Sequence, residues 1–154
     1  MPADKATTIV RTESSDPDFP LLVAALNFEL RDRYGEVQVL YDKFNQVSEL
    51  GTVVIAYVND IPSGCGCFKK FDYKTAEIKR MFVKPEQRGM GLASSILGEL
   101  EVWAKEEGFT EVVLETGNKQ QEAISMYKKR GYEIIPNYGP YVGMETSVCF
   151  GKKL

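Results

Sequence analysis

Two glycines set between a strand pattern and a helix pattern constrain this chain more than any other feature. Gln87-Arg88-Gly89-Met90-Gly91-Leu92-Ala93 follows Ala76 to Val83, which reads as a strand ended by Lys84-Pro85. It precedes Leu92 to Glu107, where Ile96, Leu97, Leu100 and Trp103 recur at helical spacing and Gly108 closes the run. Glycine lets the backbone turn tightly and aim successive N–H groups at one point. The helix start behind it adds unsatisfied N–H groups and the positive end of the helix dipole, the make-up of a phosphate cradle. No Lys-Ser or Lys-Thr follows the second glycine, so this is not a Walker loop, and the three-glycine dinucleotide fingerprint is absent.

The remaining elements fall around this unit. Thr7 to Arg11 reads as a first strand, and Asp16-Pro17-Asp18 starts a helix carrying Phe19, Leu22, Ala25, Leu26 and Leu30. Val37 to Val47 is expected to form a second helix. Thr52 to Val58 and Ile61 to Phe71 flank Asn59-Asp60, a hairpin turn pair. Glu111 to Glu115 reads as a short buried strand, Gln120 to Lys129 as a helix with Gly131 behind it, and Tyr132 to Ile135 and Thr146 to Phe150 as closing strands. That order predicts an α/β (α+β) fold whose sheet mixes antiparallel and crossover portions, in one domain over residues 1–154.

Composition narrows the chemistry. With 44% hydrophobic and 27% charged residues the chain is globular in character, and its apolar runs are too short and interrupted to span a bilayer. The segment Met1 to Ser14 lacks a signal-peptide layout and the cysteines number three, so a cytoplasmic setting is expected. The chain has no histidine, which removes Ser-His-Asp hydrolysis, Cys-His proteolysis and His-ligated metals together. Cys65, Cys67 and Cys149 are too few ligands for a zinc site, so no metal is expected. The net charge of −3 argues against nucleic acid as a partner. Residues 1–60 carry ten acidic and five basic side chains, and the remainder twelve and fourteen. Such a split suits an anionic ligand on the second part and a cationic one approaching the first, or is plain scatter.

The run Arg88-Gly89-Met90-Gly91-Leu92-Ala93 resembles the Gln/Arg-x-x-Gly-x-Gly/Ala loop of the GNAT superfamily of N-acetyltransferases. The lead-in Met81-Phe82-Val83-Lys84-Pro85-Glu86 is similar to that family's strand and Pro-acidic turn. Leu114-Glu115-Thr116-Gly117 followed by Ala123, Tyr127 and Gly131-Tyr132 resembles its later strand and helix. The resemblance covers about residues 52–135 and implies a GNAT-like mixed, mostly antiparallel sheet with a central splay and flanking helices. It implies that acetyl-CoA is the cosubstrate, with its pyrophosphate on the backbone of Arg88, Gly89, Met90, Gly91, Leu92 and Ala93. Met81, Phe82 and Val83 would pair with the pantetheine arm and offer N–H groups to the thioester oxygen. In place of the family's helix asparagine, Gln120 is nearest by counting back from Tyr127, while Asn118 lies in the preceding loop.

Amide formation needs two proton movements. An alkylammonium with a pKa of about 10 must lose a proton before it attacks, and the departing thiolate must gain one. The resemblance puts Tyr127 where relatives place the tyrosine that protonates the thiolate. Glu77 lies six residues before Val83, the spacing of the catalytic glutamate in histone-acetylating members, and is the expected base. A structural ion pair with Lys79 or Arg80 is the alternative reading of the same residue. Relatives bind acceptors near Phe28 to Tyr34, where Glu29 or Asp32 suits a cation and Arg31 or Arg33 a carboxylate, and Asn137 to Tyr141 supplies aromatic rings. The expected activity is acetyl transfer to a primary amine of a small molecule in a ternary complex, with a homodimer compatible. A protein lysine or N-terminal acetyltransferase, or a non-catalytic acyl-CoA-binding module, is the alternative.

Overall fold

The computed structural model describes residues 6–35 and 50–154. The helix expected over Val37 to Val47 lies outside the described residues. Among the described residues there are seven strands: β1 (Thr7–Thr12), β2 (Val53–Val58), β3 (Ile61–Lys70), β4 (Thr75–Val83), β5 (Glu111–Gly117), β6 (Glu133–Ile135) and β7 (Ser147–Lys153). Three α-helices accompany them among the described residues: α1 (Asp18–Tyr34), α2 (Leu92–Glu106) and α3 (Gln121–Lys129). The sheet order is β1-β2-β3-β4-β5-β7-β6, and β4 pairs with β5 in parallel. The β1–β2, β2–β3, β5–β7 and β6–β7 pairs are antiparallel. This is the mixed, mostly antiparallel α/β sheet expected from the sequence.

Local chemistry accounts for the boundaries. Asn59 and Asp60 adopt φ of 51° and 66°, the left-handed pair that a two-residue type I′ hairpin between β2 and β3 requires. Pro17 caps α1, and the Asp16 carboxylate accepts the Asp18 N–H at 3.0 Å, so the acidic pair begins the helix as its composition predicts. Helices α2 and α3 end alike. Phe109 N–H reaches Ala104 C=O at 3.0 Å and Gly108 N–H reaches Lys105 C=O at 3.0 Å; Tyr132 and Gly131 do the same to Tyr127 and Lys128. Both are Schellman closures with a glycine in the left-handed position.

The chain divides into two compact units, with boundaries inside β3, β4 and α2. Unit one takes the described residues up to Cys67 and Arg80–Leu100. In it α1 buries Phe19, Leu22 and Leu26 against Val53 and Ile55 of β2, Cys65 and Cys67 of β3, and Phe82. Leu92, Ile96 and Leu100, spaced by four, form the buried stripe of α2 there. Gly66 admits that stripe closely: a Cβ would stand 2.9 Å from Leu100 Cδ1 and 3.0 Å from Ile96 Cγ2. Unit two takes Phe68–Lys79 and Glu101–Leu154. Phe68 meets Trp103 and Phe109 edge-on, and Tyr127 packs against Tyr132 and Phe150. Glu101 is held by the Tyr132 hydroxyl at 2.7 Å, Arg130 at 3.0 Å and Lys152 at 3.2 Å, so this buried carboxylate is fully engaged.

Candidate active site

The glycine loop belongs to unit one. A 3-10 turn over Pro85–Gln87 follows β4, and Gly89 and Gly91 then adopt φ of 85° and 77°, values that suit glycine and penalise any side chain. A Cβ at either position would meet no atom within 4 Å, so the space above both is open. Ser95 N–H bonds to Gly91 C=O at 3.0 Å, which makes Gly91 the residue entering α2. The N–H groups of Leu92 and Ala93 then lack an acceptor within the helix. Arg88 differs from the expectation in detail, because its N–H is turned back to Pro85 C=O at 3.3 Å. That N–H is therefore engaged within the turn.

The Arg88 side chain has a task that the sequence does not reveal. Its Nε donates to Val83 C=O at 2.9 Å, and its Nη2 donates to both Glu29 oxygens at 2.8 and 2.9 Å. Its guanidinium also lies 5.9 Å from the Phe82 ring centre. Arg88 thus ties the end of β4 to α1, and Glu29, a candidate for a cationic acceptor, is occupied by Arg88 and by Arg33 at 3.5 Å. Arg80 is a second unforeseen feature. It sits in β4 with φ of 59°, a strained conformation for arginine. Its guanidinium donates to Asn27 of α1 at 2.7 Å and its C=O accepts from Cys65 Sγ at 3.3 Å. The pleat of β4 is therefore interrupted immediately before Met81, Phe82 and Val83, the expected pantetheine strand. Phe82 and Val83 are buried and Met81 is half-buried.

The titratable residues belong to unit two. Glu77 is only 4% exposed. Its Oε2 accepts the Tyr138 hydroxyl at 2.8 Å and lies 3.6 Å from Lys79 Nζ, and its Oε1 lies 3.7 Å from Lys69 Nζ. Lys79, 7% exposed, also donates to the Tyr141 hydroxyl at 3.0 Å. Burial, then the negative charge of Glu77, pushes the Tyr138 hydroxyl far up, so it stays a donor. Asn137 anchors this aromatic segment by donating to Tyr141 and Met144 C=O, both at 3.1 Å. The expected aromatic wall thus covers the Glu77–Lys79 pair.

Tyr127 is buried, and burial followed by the Glu115 charge raises its hydroxyl well above the ordinary value. Such a phenol is protonated at neutral pH. Gln120 caps the start of α3 and is half-buried. Asn118 is exposed, with its N–H on Thr146 C=O at 2.8 Å and its own C=O accepting Gln121 Nε2 at 2.7 Å. All three cysteines are buried and unlinked, and burial pushes the Cys149 thiol up to about 11.

A model of the acetyltransferase (GNAT) family matches residues 15–132, which includes the glycine loop, Glu77 and Tyr127. The chain belongs to the GNAT acetyltransferase family. Among curated GNAT relatives, an IAA acetyltransferase of Azospirillum brasilense is 38% identical over 78 residues, covering 51% of each chain. N-acetyltransferase family 8 member 2 of Rattus norvegicus is 33% identical over 89 residues, covering 58% of this chain and 36% of that one. The matched part thus spans about half or less of these relatives' length. Among solved structures, a Klebsiella pneumoniae protein assigned as an acyl-CoA N-acyltransferase superposes with a TM-score of 0.78 and 27% identity, covering 96% of this chain and 97% of that one. A GNAT family acetyltransferase from Elizabethkingia anophelis with acetyl-CoA bound shares the fold at a TM-score of 0.68 and 21% identity, over 96% and 98% of the two chains.

Proposed function

We propose that this GNAT protein transfers the acetyl group of acetyl-CoA to a primary amine of a small molecule by direct attack in a ternary complex, with residues 1–154 acting as one catalytic domain. The observation that carries this reading is the loop at the start of α2. There Gly89 and Gly91 hold left-handed backbone, nothing stands within 4 Å of either Cα's missing substituent, and the helix N–H groups follow directly. A pyrophosphate fits donors of that kind, since its charge meets both backbone N–H groups and the helix dipole. The N–H groups of Met81 to Val83 are assigned to the pantetheine and thioester oxygen, and Gln120 or Asn118 to the pantetheine amides.

Tyr127 is assigned as the acid that protonates the departing thiolate. Its raised hydroxyl favours the protonated form needed for that step. For Glu77, occupied oxygens and near-complete burial favour a positioning role, holding Lys79 and Tyr138, over direct proton removal. No helix among the described residues is long and apolar enough to cross a membrane, and no described cluster of His, Cys, Asp or Glu could hold a metal ion. Calorimetric titration tests the cofactor directly. Acetyl-CoA should bind with a Kd of about 100 µM or tighter, roughly −5.5 kcal/mol or better, and neither ATP nor NAD should compete. Heat from the nucleotides with none from acetyl-CoA would contradict the assignment.

A further inference from the structure

Two arginines of unit one bracket the residues assigned to the pantetheine, and each gives its guanidinium to α1. Arg80 precedes Met81 and donates to Asn27 Oδ1 at 2.7 Å. Arg88, beyond the end of the strand, donates through Nη2 to both Glu29 oxygens, at 2.8 and 2.9 Å. Its Nε holds Val83 C=O at 2.9 Å, and its guanidinium carbon lies 5.9 Å from the Phe82 ring centre. Asn27 and Glu29 are near neighbours on α1, so one short stretch of helix meets both flanks of Met81, Phe82 and Val83.

The strand end and the glycine loop are separate pieces of backbone, joined by the turn from Lys84 to Arg88. Lys84 N–H anchors that turn to β3 through Ser63 C=O at 2.9 Å. Gln87 and Arg88 N–H groups wind it, reaching Lys84 C=O at 2.9 Å and Pro85 C=O at 3.3 Å. The Arg88 side chain then closes the turn back onto the strand before it. We propose that Glu29 is a positioning residue for acetyl-CoA: through Arg88 it holds the phosphate loop and the pantetheine strand at the separation that one cofactor molecule spans. Its carboxylate is taken by Arg88, and by Arg33 at 3.5 Å, so it acts through the guanidinium rather than on the ligand.

This inference rests on the acetyl-CoA assignment proposed above. A ligand that spans two subsites gains because its second contact is intramolecular, and that gain depends on the subsites keeping their spacing. Charge-assisted bonds to a carboxylate hold the long arginine side chain in one arrangement. Without Glu29 the side chain recovers rotamer freedom, and cofactor binding has to order it again. That cost falls on a ligand reaching from loop to strand and spares one that sits on the loop alone. A purely electrostatic role has the opposite sign, because removing a negative charge near a pyrophosphate site would tighten the binding of any polyanion.

The test begins with calorimetry of acetyl-CoA on the wild type; a protein that does not bind it overturns the cofactor assignment and this inference together. On a binding protein, Glu29→Ala should bind acetyl-CoA about tenfold more weakly. The ADP half of the cofactor with its ribose phosphate keeps the pyrophosphate and lacks the pantetheine. Measured by competition, it should bind the wild type and Glu29→Ala alike. Glu29→Gln keeps one acceptor oxygen for Arg88 and should fall between, and it carries the same comparison if Glu29→Ala does not fold. Tyr57→Phe is the control for α1 itself, since it removes the 2.6 Å bond from the Tyr57 hydroxyl to Asp18 at the start of the helix. It should lower Tm and leave acetyl-CoA affinity unchanged. Unchanged or tighter acetyl-CoA binding in the folded Glu29 variant, equal losses for the two ligands, or the same loss in Tyr57→Phe would overturn the assignment.

Discussion

Valine in place of Gly91 probes the cradle through a residue whose conformation is known. Gly91 has φ of 77°, and a Cβ there meets nothing within 4 Å, so the fold is challenged only through the backbone. Left-handed backbone costs a residue with a Cβ about 1–2 kcal/mol, and β-branching places it at the upper end. In a chain of this length that lowers Tm by roughly 2–8 °C, which leaves a folded protein at 25 °C. A pyrophosphate at the loop would meet two branched methyls in that open space. Affinity for acetyl-CoA should then fall at least about tenfold, roughly 1.4 kcal/mol. Gly108 supplies the control, with φ of 96° and nothing within 4 Å of its Cβ position, at the closure of α2. Calorimetry and a thermal melt on both valine variants separate strain from binding. Similar melting shifts with affinity lost only in Gly91→Val are expected. Undiminished affinity in a folded Gly91→Val, or equal losses in both variants, would refute the reasoning.

Tyr127→Phe keeps the ring contacts with Tyr132 and Phe150 and removes only the hydroxyl, so kcat should fall about 10²-fold or more with acetyl-CoA affinity little changed; full-rate turnover would return the residue to packing. Glu77→Gln withdraws a charge lying 3.6 Å from the buried Lys79 ammonium, at a cost on the order of 3 kcal/mol. Its Tm should drop and its rate deficit should persist at high pH; a stable variant whose deficit shrinks as pH rises would restore Glu77 as the base. Glu115→Gln should change stability with the opposite sign. The native Glu115 carboxyl stands at about 7 against an ordinary 4.5, so the folded state holds the proton more tightly and stability falls as pH rises through that window. The variant should therefore be more stable than the wild type at pH 8, by on the order of 3 kcal/mol, and alike near pH 4.5; a lower Tm at pH 8 would contradict the burial argument.

The sequence made the strand and helix order legible because its punctuation is local. Asn59-Asp60, Gly108 and Gly131 each adopt the conformation that their residue type favours, and each ends an element where expected. The glycine loop was legible for the same reason. Features made by distant partners were not. Arg88 serves Glu29 and Val83, Arg80 bends β4 with help from Asn27 and Cys65, and Glu115 depends on Ser147 across β7. Nothing in the spacing of those residues announces the pairing. Glu77 shows the middle case: a charged residue in a central strand signals that partners must exist. Lys79 was one of the partners the sequence offered; Lys69 and Tyr138 are named by the structure alone.

Acetyl transfer to an amine is tested most directly by incubating the protein with acetyl-CoA and a panel of primary amines, and following free thiol together with the mass of each amine. Thiol release matched one-for-one by an amine that has gained a single acetyl group is the predicted result. Acetyl-CoA that binds but yields neither thiol nor acetylated product with any amine, on small molecules or on lysine peptides, would contradict the account and leave an acyl-CoA-binding module.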